Sequence, residues 1–267
     1  MTSGTGLALA FLAYSLLGGG LVLMKKGIAW LGWRGPRDRT FCRNLAVWIA
    51  GFLLLNLYIV PATVALNRLD SHIVASVAGW GVVVLVFLSR LSLGEKSFPS
   101  DLPHTALIVG GIVVLNLLER PAAGQTFALP AYIGVALAPF LIAGLALFLR
   151  ATPTMSAALW AGVSGMGTGL VVMTMKTLVS EHGLAVRAYF ASPYLYVYLL
   201  FSLVSFLALQ VSLRKGALIA VGPVQYSAGI LTPVLCAAPV FGPRLHPLQF
   251  AAAAVIVYGV AAMLKKR

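Results

Sequence analysis

From Thr2 to Met24 the chain carries no Asp, Glu, Lys or Arg, and the same holds from Asn44 to Asn67, from Ala151 to Met175 and from Ala188 to Leu213. Uncharged stretches of this length match the ~20 apolar residues that a helix needs to cross about 30 Å of hydrocarbon. With 60% of residues hydrophobic and 9% charged, the chain reads as an all-α polytopic membrane protein. Helical spans are expected at about 6–24, 42–66, 71–90, 102–118, 130–149, 156–176, 193–213, 217–240 and 246–264, nine in all. Residues 25–41 hold Ile28, Trp30, Leu31 and Trp33, but Gly35-Pro36 and five basic residues suit them to the interface rather than to a crossing.

The net charge of +13 would point to nucleic acid in a water-soluble chain. Here the cluster Lys25, Lys26, Arg34, Arg37, Arg39 and Arg43 reads as a topology signal, because basic residues collect in cytoplasmic loops and near anionic headgroups. The lipid bilayer is thus the expected partner, and nucleic acid is not. With the N-terminus outside, inner loops and the C-terminus hold 14 of the 19 basic residues and outer segments hold 5. That imbalance predicts an N-out, C-in protein of the cytoplasmic (inner) membrane, with Lys265, Lys266 and Arg267 inside. The N-terminus lacks a basic n-region, so its apolar run is expected to be a retained first helix.

A motif recurs within the chain. Ser15-Leu16-Leu17-Gly18-Gly19-Gly20-Leu21-Val22-Leu23-Met24 aligns with Ser164-Gly165-Met166-Gly167-Thr168-Gly169-Leu170-Val171-Val172-Met173 at a shift of 149 residues. Leu93-Gly94-Glu95-Lys96 onto Phe241-Gly242-Pro243-Arg244, Ile108-Val109-Gly110-Gly111-Ile112 onto Ile256-Val257-Tyr258-Gly259-Val260, and Ala65-Leu66 onto Ala217-Leu218 keep a shift close to it. An internal duplication accounts for a near-constant shift across separate patches. The expected organisation is a first repeat of four helices (1–120), a connecting helix (121–150) and a second repeat of four (151–267). An odd helix between the copies inverts the second, the design used by many alternating-access transporters.

The same residues resemble the drug/metabolite transporter superfamily, in its EamA-like or NIPA-like magnesium-transporter branches. The resemblance rests on Gly18-Gly19-Gly20 followed by Met24-Lys25-Lys26-Gly27, on Leu93-Gly94-Glu95-Lys96, on Gly110-Gly111, and on Gln210 ahead of Ala217-Leu218 and Thr232-Pro233-Val234. Such families often carry ten helices, five plus five; here the second helix of each copy is reduced to segments 25–41 and 179–192. Gly81 stands where the second copy has Pro233, and Pro243 where the first has Glu95. The resemblance implies a secondary transporter of a small solute, with its site between the repeats. A NIPA-like Mg²⁺ transporter and a lipid-linked flippase are the alternatives, and a homo-oligomer is compatible with either.

Candidate substrate-binding residues follow from what is unusual in hydrocarbon. Glycines at Gly18, Gly20, Gly167 and Gly169 permit close approach, either as a packing groove or as a notch facing solute. Polar groups at membrane depth must find a partner or a wet cavity; Ser15, Asn56, Asn116, Ser164, Thr168, Thr174 and Gln210 are such groups, with Asn56 and Gln210 on equivalent helices of the two copies. Tyr58, Trp80 and Tyr226 are candidate aromatic walls. The acids Asp38, Asp70, Glu95, Asp101, Glu119 and Glu181 all fall in loops or at helix ends. Without a mid-membrane carboxylate, an organic or weakly charged solute is expected over selective Mg²⁺ transport.

Other chemistries find no support. Cys42 and Cys236 form neither a metal motif nor a disulfide framework. His72, His104, His182 and His246 stand at no metal-ligand spacing, so no metal site or cofactor is expected. There is no Gly-Lys-Ser/Thr phosphate loop, and no cluster of polar catalytic groups at one membrane surface that a lipid-acting enzyme would need.

Overall fold

A computed structural model describes residues 3–29, 39–69, 71–96, 99, 101–118, 129–148, 152–182, 186–241 and 246–265. Asp38, Asp70, Glu119, Arg34, Arg37 and the tryptophans Trp30 and Trp33 lie outside the described residues. Every regular element among the described residues is helical: α1 (Ser3–Gly27), α2 (Arg39–Leu57), α3 (Ile59–Leu66), α4 (Ser71–Ser76), α5 (Ala78–Leu93), α6 (Asp101–Leu117), α7 (Leu129–Phe148), α8 (Pro153–His182), α9 (Val186–Tyr189), α10 (Pro193–Lys215), α11 (Leu218–Phe241) and α12 (Pro247–Lys265). Among the described residues, seven helical stretches are long and apolar enough to cross a membrane: Gly4–Gly27, Arg39–Leu66, Ile73–Leu93, Pro153–Val179, Pro193–Lys215, Leu218–Cys236 and Pro247–Lys265. Two shorter apolar helices, Asp101–Leu117 and Tyr132–Leu145, accompany them.

Local chemistry sets the ends. Proline opens α8, α10 and α12 as Pro153, Pro193 and Pro247, where its missing N–H costs nothing and its fixed φ suits the first turn. The Thr152 hydroxyl accepts from the Met155 N–H at 3.3 Å, and the Ser192 hydroxyl from the Tyr194 N–H at 3.3 Å. The expected span 42–66 is divided at Tyr58 into α2 and α3. Pro61 explains the division: it has no N–H for the Leu57 carbonyl four residues back, and its ring crowds that carbonyl. The helical pattern resumes at once, with the Ala62 N–H reaching the Tyr58 carbonyl at 3.1 Å. At the other end of the scale α8 runs 30 residues, beyond the expected 156–176, and absorbs the start of the segment 179–192.

The helices gather into two compact units. One comprises Met1–Glu119, Gly216–Pro223 and Leu248–Arg267, the other Arg120–Lys215 and Val224–Pro247. The first unit is centred on α1, which runs antiparallel to α2: Gly20 meets Gly51 and Leu55, while Gly27 meets Asn44 and Trp48. Along the same helix Phe11 and Ser15 meet Trp80, and Gly18 meets Gly81 and Leu85, so α5 runs parallel to α1. In the second unit α8 is the centre. The Lys215 ammonium donates to the Ser156 hydroxyl at 3.1 Å while Ser205 meets Ser164, an antiparallel pairing of α8 with α10. Gly165 meets Ala228 and Gly169 meets Thr232, so α11 runs parallel to α8.

A reciprocal contact joins α6 and α12 within the first unit. A Cβ on Gly111 would lie 2.6 Å from Ile256 Cγ1 and 3.1 Å from the Ala252 carbonyl. One on Gly259 would lie 2.8 Å from Ile108 Cγ1 and 3.1 Å from the His104 carbonyl. Each residue on one helix and its counterpart on the other differ by 148 in number (259 minus 111, 256 minus 108, 252 minus 104). Two parallel helices could not make both contacts, since each glycine would have to sit about two turns below its own position on the partner; α6 and α12 are antiparallel.

Candidate functional site

Most polar side chains in the apolar helices satisfy themselves locally. Ser15 donates to the Phe11 carbonyl at 2.7 Å, Asn56 to Phe52 at 2.7 Å, Asn116 to Ile112 at 2.8 Å, Thr168 to Ser164 at 3.0 Å and Thr174 to Leu170 at 2.7 Å. Each reaches back one turn, so these five side chains are paired within their own helices. The exposed Asn56 uses its amide this way on α2, and Tyr58 is half-buried at the α2–α3 break.

In the first unit the structure brings Ser15, Gly18 and Trp80 together. The Trp80 indole N–H donates to the Ser15 hydroxyl at 2.9 Å, and its ring stands edge-on to Phe11 with centroids 5.4 Å apart. Trp80 is 39% exposed. One turn along α1, Gly18 presses on α5: a Cβ there would lie 3.0 Å from the Gly81 carbonyl and 3.3 Å from Val84 Cγ1. Gly20 faces α2, where a Cβ would lie 2.6 Å from the Leu55 nitrogen.

The second unit holds a hydroxyl cluster that joins Ser164 and Thr168 to Ser205 of α10. Ser205 donates to the Ser164 carbonyl at 2.7 Å; its hydroxyl is 2.9 Å from that of Thr168 and 3.5 Å from that of Ser164. Ser164 is fully buried. A Cβ on Gly167 would lie 2.9 Å from Ser205 Cβ, and one on Gly169 would lie 2.7 Å from Thr232 Cβ and 2.8 Å from Pro233 Cδ. Gln210 and Tyr226 are both buried, on α10 and α11. Further along α8, Tyr132 of α7 shares a hydrogen bond with Thr174.

The two glycine helices pack alike, in a register two residues from the one their letters suggest. Gly18 lies against the Gly81 carbonyl and the Leu85 nitrogen of α5; Gly165 lies against the Gln225 carbonyl and the Gly229 nitrogen of α11. Gly20 meets Gly51 and Leu55 of α2, and Gly167 meets Phe201 and Ser205 of α10. Both pairs place a glycine over a carbonyl and the residue four further on. In packing terms Gly18 corresponds to Gly165 and Gly20 to Gly167, where the aligned letters pair Gly18 with Gly167 and Gly20 with Gly169.

Sequence reasoning passed over Ser205 and Gly51, and did not single out Gly165 within the repeated motif. A lone serine in an apolar run carries no signal of its own, but a glycine mid-helix does, and Gly51 closes the α1–α2 contact with its absent Cβ 2.5 Å from the Met24 nitrogen. Two shallow clefts open on the described surface: one of about 390 Å³ bounded by Leu66, Asn67, Arg68, Leu69 and Ile73, another of about 420 Å³ along Val171, Met175, Lys176 and Tyr198. Neither is lined by a candidate residue. Cys42 and Cys236 are not joined in a disulfide, and among the described residues no three His, Cys, Asp or Glu side chains gather as a metal site would require.

No family model, curated protein or solved structure matches the chain. The architecture itself places it in a class: a chain whose regular elements are all helical among the described residues, with seven helical stretches of membrane-crossing length and apolar composition, is an α-helical integral membrane protein.

Proposed function

We propose that the protein is a secondary transporter that moves a small solute by alternating access of two inverted four-helix repeats, joined by α7 as a ninth span. The observation that carries this reading is the reciprocal packing of Gly111 on Ile256 and Gly259 on Ile108. Matched residues of the two copies exchange places across an antiparallel contact, as a twofold axis perpendicular to both helices would have them do. For membrane-spanning helices such an axis lies in the membrane plane, the relation between the halves of many alternating-access transporters. The repeated glycine packing of α1 on α2 and α5, and of α8 on α10 and α11, supports a common origin of the copies.

The Ser15–Trp80 pair is the solute-contacting element that the geometry favours. It offers a hydroxyl, an indole edge and an exposed aromatic face one turn from the close contact of Gly18 with α5, a combination suited to a neutral or weakly charged organic solute. Selective Mg²⁺ transport is the second reading, carried by the resemblance of Gly18-Gly19-Gly20 and Leu93-Gly94-Glu95-Lys96 to NIPA-like sequences. Orientation is proposed as N-out and C-in, on the 14-to-5 division of basic residues.

Purified protein screened by thermal shift against metabolites, lipids and Mg²⁺, then assayed in proteoliposomes with the solute that stabilises it, tests the reading. Ser15→Ala and Trp80→Phe are expected to weaken solute binding at least severalfold while Gly110→Ala, with nothing within 4 Å of its added carbon, leaves it unchanged. Saturable uptake of no solute in the screen, or selective Mg²⁺ uptake unaffected by either variant, would overturn it.

A further inference from the structure

The entry turn of α11 is held by two charges from distant parts of the chain. Glu95, just past α5, accepts from the Leu218 N–H through Oε1 at 2.7 Å and from the Ile219 N–H through Oε2 at 2.8 Å. Lys25, in the last turn of α1, donates from Nζ to the Gly216 carbonyl at 2.7 Å. Gly94 makes this reach available: with φ of 64° it ends α5 in the left-handed conformation and turns Glu95 off the helix axis. The first N–H groups of a helix lack partners inside it, and the helix dipole favours an anion there. Behind the clasp the fit is steric as well, since a Cβ on Gly222 would lie 2.5 Å from Leu85 Cδ2, and Leu218 and Ile219 are fully buried.

We propose that Glu95 and Lys25 form a releasable clasp: it holds the entry turn of α11 against α1 and α5 in the state described here, and its opening frees that turn to move. The role of that motion in a transport cycle rests on the proposed function; the clasp itself does not. Both side chains are half-buried, so they reach water when they let go and no charge is stranded in hydrocarbon.

The test uses full-length protein in detergent with Cys42→Ser and Cys236→Ala, and a single reporter thiol at Ala220→Cys, a buried position on the first turns of α11. Glu95→Ala is expected to speed maleimide labelling by about tenfold or more, the scale set by losing hydrogen bonds to a charged group. Glu95→Gln, which keeps an acceptor oxygen, should fall between Glu95→Ala and the parent, and Lys25→Met should speed labelling severalfold. A control thiol at Ala157→Cys, fully buried on α8, should label at the parental rate in every background. Unchanged Ala220→Cys labelling in both Glu95 variants, or equal acceleration at Ala157→Cys, overturns the clasp. Labelling needs no solute, so its failure would leave the transport reading standing, and a working clasp in a protein that transports nothing would remove only the transport reading.

Discussion

Gly20→Ala tests whether close helix approach, rather than conformational freedom, is what the glycine motif provides. A Cβ at Gly20 would lie 2.6 Å from the Leu55 nitrogen and 2.8 Å from both the Gly51 carbonyl and Leu55 Cα. All three are backbone atoms, so no rotamer change relieves them. Ordinary contact begins near 3.4 Å, and α2 must therefore retreat by about 0.8 Å, a gap that forfeits a quarter to a half of the dispersion well for the atoms it separates. The loss spreads along α1, because Gly27 and Gly51 hold the same pair of helices, each with an absent Cβ 2.5 Å from backbone of the other helix. Overpacking of this kind costs about 1–3 kcal/mol, against about 0.5–1 kcal/mol regained by replacing a helical glycine. Gly110→Ala is the control, with nothing within 4 Å of its added carbon, and should stabilise by about 0.5–1 kcal/mol. Reversible unfolding in mixed micelles, followed by far-UV circular dichroism, should place Gly20→Ala below the parent and Gly110→Ala at or above it, about 2 kcal/mol apart. If Gly20→Ala matches Gly110→Ala, the close approach of α1 and α2 contributes nothing and the packing account fails.

Gly111→Ala and Gly259→Ala should destabilise to similar extents, about 1–3 kcal/mol each, and Ile256→Ala should offset part of the Gly111→Ala loss in a double-mutant cycle; strict additivity would refute direct contact. Ser205→Ala removes the hydroxyl shared by Ser164 and Thr168 and should cost about 1–2 kcal/mol in the same unfolding assay, whereas Thr168→Val should cost less because Thr168 is exposed and Ser205 keeps the Ser164 carbonyl as its acceptor. A thiol introduced next to Thr2 should react with an impermeant maleimide on intact cells, and one placed after Lys265 only once the membrane is opened; labelling of both on one side rules out nine spans.

Gly51→Ala or Ser205→Ala would have attracted no attention in the bare sequence, although both residues sit at close helix contacts. Hydrophobic length is a one-dimensional property. A run without charge such as Thr2 to Met24 must be a buried or membrane-crossing helix whatever its neighbours do, because hydrocarbon forbids an unpaired backbone. Membrane class, the presence of long apolar helices and the existence of a repeated glycine motif were therefore legible in the letters of the chain alone. Partner choice is three-dimensional. In hydrocarbon a helix gains little by burying one apolar face over another, so specificity comes from which backbones approach closely and which hydroxyls meet. The sequence could mark Gly18, Gly20, Gly167 and Gly169 as small, but only the tertiary structure decided that Gly18 answers to Gly165 and Gly20 to Gly167, that Ser15 receives the Trp80 N–H, and that Glu95 closes on a helix beginning 123 residues away. Those pairings depend on the azimuth of each helix about its own axis, and an all-apolar helix carries almost no trace of that angle in its composition.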